Sequence, residues 1–178
     1  MNKLNKIAAG IALTTSLFAG QAMAAVQGTI GDTSTGKSDV TLTIVDKVQI
    51  SGVDDIALGT FDGSTDLAGG SAFCVYRNGA AGYTMTLSAE GKANFEVASV
   101  ISGDTIGFTA KVDNDNDASN GSSIAHGATS ATYSGSSATD CGGADNASIA
   151  VNFAAADLQS AGTAADYTAT VVILVEPI

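Results

Sequence analysis

YTATVVILVEPI, residues Tyr167–Ile178, reads as one long β-strand. It is rich in β-branched residues, and Tyr167, Ala169, Val171, Ile173 and Val175 fall on one face of the alternation. No further strand follows to cover its edge, and a long apolar edge is an aggregation hazard unless something pairs with it. Near the front of the chain a second alternating segment, Asp39–Ile44 (DVTLTI), places Val40, Leu42 and Ile44 on one face. An economical reading joins the two: the fold lacks a strand of its own, and a neighbouring copy supplies one.

The first 24 residues read as a secretory signal. Lys3 and Lys6 form a charged start, Ile7–Ala19 a short apolar core, and Ala22-Met23-Ala24 a small-x-small cleavage pattern. The core is shorter than the ~20 residues a spanning helix needs, and no other stretch is long enough for a membrane span. The mature chain is expected to start near Ala25, leaving 178 − 24 = 154 residues, enough for one domain with a real core. Loss of the two lysines takes the net charge from −11 to −13, with 5 basic against 18 acidic residues. Such acidity argues against nucleic acid as a partner, because phosphates would repel it.

Between these ends the pattern is that of short strands separated by Gly/Ser/Asn/Asp turns. Lys47–Ser51, Val53–Phe61, Ser71–Arg77, Gly82–Ala89, Phe95–Ile101, Thr105–Val112 and Ala147–Phe153 are the expected strands. Asn78-Gly79 marks a tight turn between two of them. Ala154–Gln159 has the composition of a single helical turn. With the closing strand this makes about seven to nine strands, the number of an immunoglobulin-like antiparallel β-sandwich. Residues 25–37 read as a flexible leader, 38–45 as a candidate donor strand, and 46–178 as the sandwich domain.

Few residues carry chemistry. The single histidine, His126, sits in a Gly/Ser/Ala loop and reads as a solvated residue rather than a base, and Arg77 is the only arginine. Neither a nucleophile elbow nor a phosphate-cradling loop is present, so the chain is not expected to be an enzyme or to need a cofactor. Asp113-Asn114-Asp115-Asn116-Asp117 offers oxygen ligands at alternating positions, as a calcium loop would. However, the turn-glycine position holds Ala118 and the twelfth position Ile124, so a solvated hairpin loop is the preferred reading. Cys74 and Cys141, an isolated pair in an exported chain, read as one disulfide rather than two free thiols.

Three stretches together resemble the spore-coat-U-like domain of archaic chaperone–usher pilins. Leu58–Leu87 (LGTFDGSTDLAGGSAFCVYRNGAAGYTMTL) runs from Gly-Thr-Phe-Asp through a turn to a cysteine strand, then Asn-Gly, then a Tyr-x-x-x-Leu strand. Gly162–Val175 (GTAADYTATVVILV) is similar to the closing strand of that family, and Asp39–Ser51 to a donor strand leading into the first strand. The resemblance implies a sandwich missing its last strand. A periplasmic chaperone would lend that strand transiently, and the next copy of the protein or a related pilin would then replace it at an outer-membrane usher. Val40, Leu42 and Ile44 would be the inserted side chains, and Tyr167, Val171, Ile173 and Val175 would line the receiving groove. The implied setting is the periplasm in transit and then a cell-surface fimbrium serving adhesion or biofilm formation. The competing readings are that Asp39–Ile44 pairs within its own chain, and that the protein is a self-contained exported binding module for a glycan or surface partner.

Overall fold

In the computed structural model, residues 25–162 and 166–178 are described; the expected signal segment lies outside them. The chain divides into two units, Met1–Ile44 and Val45–Ile178. Within the first, Val26 and Lys37 exchange two backbone hydrogen bonds of 2.9 Å, and residues 38–44 carry no strand or helix.

The second unit is all-β and antiparallel, with a sandwich-like arrangement. One sheet has the order β1-β2-β9-β6-β7, formed by Val48–Ser51 (β1), Leu67–Arg77 (β2), Ala147–Phe153 (β9), Thr109–Asp113 (β6) and Ser122–Ile124 (β7). The other strands form β11-β3-β8, from Val171–Pro177 (β11), Gly82–Ala89 (β3) and Tyr133–Ser134 (β8), and β10-β4-β5, from Tyr167–Thr168 (β10), Glu96–Ser99 (β4) and Thr105–Gly107 (β5). A short helix, α1, spans Ala155–Gln159.

Alternation builds the core. Odd positions of β3 (Tyr83, Met85, Leu87, Ala89) and of β9 (Ala147, Ile149, Val151, Phe153) are buried with Phe73 and Val75 of β2 and Ala110 and Val112 of β6. Phe108 stands between β5 and β6 and packs on Phe95 (5.3 Å between ring centroids) and Phe153 (5.1 Å). The chain changes sheets there, so the expected single strand Thr105–Val112 is two strands. Val53–Phe61, expected as a strand, has no ladder; Ile56 and Leu58 still pack on the core. The space beside Gly69 explains how: a Cβ there would meet Leu58 Cδ2 at 2.7 Å and Ile56 Cγ2 at 2.9 Å.

Cys74 and Cys141 form a disulfide that closes a 67-residue separation. Beside it Asn146 extends the β2–β9 pairing by one step: its Oδ1 accepts from the Val75 N–H (2.8 Å) and its Nδ2 donates to the Val75 carbonyl (3.1 Å). No described helix is long and apolar enough to cross a membrane.

Candidate functional site

Among the described residues six strands are sheet edges, and five are short: β7 and β5 have three residues each, β8 and β10 two each, and β1 four. The sixth, β11, has seven residues and among the described strands pairs only with β3, from Val171↔Ala89 to Pro177↔Tyr83. The hydrogen-bond phase of that pair follows from its flanks. Glu90 N–H donates to the Thr170 carbonyl (2.9 Å), and Ile178 N–H donates to the Gly82 carbonyl (3.2 Å). Bonded and non-bonded positions alternate in an antiparallel ladder. The even residues 170–178 therefore turn their backbone groups toward β3, and the odd ones turn theirs outward. Val171, Ile173 and Val175 thus present three N–H and three C=O groups along the free edge.

The same odd residues point their side chains into the core. Val175 is buried, while Val171 and Ile173 are only half-covered. Opposite them runs β1, whose Cα atoms come within 8 Å of those of β11. The β1 phase is fixed in the same way: Asn78 N–H donates to the Lys47 carbonyl (3.2 Å), so the bonded positions toward β2 are odd. Val48 and Ile50 turn their backbone groups away from β2, and their side chains too are half-covered over the core. The result is a seam whose two rims carry unpaired backbone groups, with incompletely covered aliphatic side chains at Val48, Ile50, Val171 and Ile173. The rims lie in places closer than the ~9.6 Å that separates the two neighbours of an inserted strand, so an extended chain would enter between them only by parting β1 from β11.

Of the sequence-selected groove residues, Val171, Ile173 and Val175 lie on this seam. Tyr167 does not. It belongs to β10, pairs with Ser99, and donates its hydroxyl to the Gly162 carbonyl (3.1 Å). The expected continuous closing strand is broken at Ala169-Thr170, where the chain passes from β4 to β3. In the Met1–Ile44 unit, Val40, Leu42 and Ile44 are 92%, 83% and 76% exposed, three aliphatic side chains at alternating positions without cover.

Sequence reading missed the residues at the mouth of the seam. Asn78 Oδ1 accepts from Lys47 N–H and its Nδ2 donates to the Val45 carbonyl, both at 2.9 Å. Arg77 is 2% exposed, and its Nη2 lies 3.1 Å from Asp46. The Asn-Gly turn was visible in sequence; the grip of its side chain on residues 31 and 33 positions earlier was not.

The other candidates are accounted for structurally. His126 is half-buried, edge-on to Phe95 at 5.1 Å, rather than solvated. In the Asp113–Asp117 run the carboxylates bond their own backbone: Asp115 accepts from Asp117 N–H (2.8 Å) and Asp117 from Ser119 N–H (2.9 Å). Hydrogen bonds from Ser119 hold the Asp117 carboxyl below its usual range. Among the described residues no group of three or more His, Cys, Asp or Glu is placed to hold a metal ion.

No protein-family model matches this sequence, and a search of curated proteins finds no match.

Proposed function

We propose that this chain is a secreted structural subunit of a cell-surface fibre, completed by a strand from another copy. The observation that carries the proposal is the β1–β11 seam, where Val171, Ile173 and Val175 leave backbone groups open and the Val171 and Ile173 side chains are only half-covered. The occupant is the Asp39–Ile44 segment of a neighbour. Its Val40, Leu42 and Ile44 have the same two-residue spacing as Val171, Ile173 and Val175 and are exposed in the free chain. Burying three such side chains is worth roughly 5–9 kcal/mol before ordering costs. The resemblance to archaic chaperone–usher pilins supports the same assembly, with a periplasmic chaperone holding the seam first and a fimbrium for adhesion or biofilm formation as the product.

The test is thermal unfolding of the mature chain against a rearranged one. The rearranged chain starts at Asp46 and carries Ser38–Val45 after Ile178 on a short Gly/Ser linker. A monomer melting far above the natural chain is the expected result. A natural chain that is already a stable monomer, with the rearranged one no better, would overturn the proposal in favour of a self-contained binding module.

A further inference from the structure

The donor segment is joined directly to β1, and its sequence permits it to close its own seam. A three-residue turn at Val45-Asp46-Lys47 would set Ile44 opposite Val48 and Leu42 opposite Ile50. Every one of these side chains would then fall on the core-facing side, and three-residue hairpin loops are common. Such a hairpin would cap the subunit and end a fibre. A turn made earlier in the chain would consume Ile44 and forfeit one socket.

All three residues of that turn are tied elsewhere. Lys47 is locked in the β1–β2 ladder, accepting from Asn78 N–H (3.2 Å) and donating to Asn78 Oδ1 (2.9 Å). The Val45 carbonyl takes the Asn78 Nδ2 (2.9 Å), and Asp46 takes the Arg77 guanidinium (3.1 Å). Asn78 itself is fixed by the β2–β3 turn, in which Gly79 (φ 76°) and Ala80 (φ 51°) are both left-handed. Arg77 is 2% exposed with Nε and Nη1 unpartnered, so loss of Asp46 would leave its buried cation with no acceptor. Each tie opposes the curl that a hairpin needs at these residues.

We infer that Asn78 and Arg77 form a clamp against self-closure: they hold Val45–Lys47 in line with β1 and so reserve the seam for the strand of a second copy. They are positioning residues that decide which copy's segment fills the groove. The inference rests on the seam being a strand acceptor, and its test separates the two claims.

The mature chain, Ala25–Ile178, is mixed with a fluorescent synthetic peptide of residues 38–45, and uptake is read by anisotropy alongside size and melting temperature. The natural chain is expected to take up the peptide. The Asn78→Ala/Asp46→Ala variant is expected to take up at least tenfold less and to run as a monomer, because its own segment occupies the seam. Equal uptake by both chains overturns the clamp and leaves the seam reading standing. No uptake by either chain, with the natural one a stable monomer, overturns the seam reading and the clamp together. A second variant guards against misfolding: Gly-Ser-Gly-Ser inserted between Ile44 and Val45 supplies a turn outside the clamp and keeps Asn78 and Asp46. It too is expected to self-close, and failure of this variant to do so refutes the idea that only a turn is lacking.

Discussion

Two prolines placed one residue apart test the phase of the β11 edge. At Leu174 the N–H faces β3, paired across to Thr86; at Ile173 it faces the seam. Leu174→Pro removes a ladder donor and leaves a strand carbonyl of β3 unpaired. It should cost about 1–3 kcal/mol from that carbonyl alone, because the Leu174 side chain is 50% exposed and contributes little burial. Ile173→Pro breaks no ladder bond and loses about one buried methylene, about 1 kcal/mol. The chain's own Pro177 occupies an odd position, where no N–H is owed to β3, as proline in an edge strand should. For strand capture the order reverses. Ile173→Pro deletes a central donor of the seam, strands a carbonyl of the incoming chain and puts its ring where that chain must lie. A loss of about 1–3 kcal/mol corresponds to roughly 5- to 150-fold weaker uptake of the residue 38–45 peptide. Melting temperature and peptide anisotropy, measured on both variants, give the two orders directly. A mild Leu174→Pro with a severely unfolded Ile173→Pro would place the ladder one residue out of phase. Undiminished uptake by Ile173→Pro would mean that the edge receives no strand.

Four further outcomes are expected. Leu42→Asp in the full chain should abolish the SDS-resistant ladder of unboiled secreted fibres while leaving the melting temperature of the monomer unchanged, since Leu42 is 83% exposed there. Replacing Cys74 and Cys141 together by serine releases a 67-residue loop and should cost roughly 4 kcal/mol in denaturant unfolding; a loss under about 1 kcal/mol would show that the unfolded chain stays compact there. Burial, and secondarily Tyr133, pushes the Tyr83 phenol well above its ordinary value, so the folded state keeps a proton that the unfolded chain gives up. Stability should therefore fall as pH rises past about 10, and Tyr83→Phe should reduce that fall and be neutral or stabilising at pH 7, because the hydroxyl has no partner. At the acid end, the Thr65 hydroxyl and the backbone N–H groups of Thr65 and Ser64 hold the exposed Asp62 carboxyl far below its usual range; its contribution is full above about pH 4 and lost as pH falls below that, and Asp62→Asn should flatten that part of the acid unfolding curve.

Much of the fold could be read from alternation, and the misses share a physical cause. Gly82–Ala89 and Ala147–Phe153 were legible to the residue, because each is a core strand with one buried and one open face. β2 begins at Leu67, four residues before its expected start, because Gly69 and Gly70 remove the pattern: Ile56 and Leu58 fill the space beside Gly69, and the Ile149 carbonyl that beside Gly70. Thr105–Val112 keeps its alternation through Phe108 although its halves join different sheets; period two records which face is buried, not which neighbour is paired. Val171, Ile173 and Val175 were legible as one face of an edge for the same reason. Val48 and Ile50 as the opposite rim were not, since only the tertiary arrangement brings β1 beside β11. Asn78 was legible as a turn residue alone, because no local signal reports a side chain bonding residues 31 and 33 positions away.

The remaining edges show how unusual the β11 edge is within its own molecule. Natural sheets protect free edges with short strands, inward charges, lysine or proline. Here β5, β7, β8 and β10 are held to two or three residues. β11 carries its only charge and its only proline at Glu176 and Pro177, beyond Val175, and nothing of the kind interrupts Val171–Val175. Its outward side chains there, Val172 and Leu174, are 40% and 50% exposed, so that stretch is apolar on both faces. A chain with a net charge of −11, and acids enough for every loop, places none in these five residues. An apolar edge of this length is what the assembly proposed above uses, with Asp39–Ile44 of a second copy as its proposed partner.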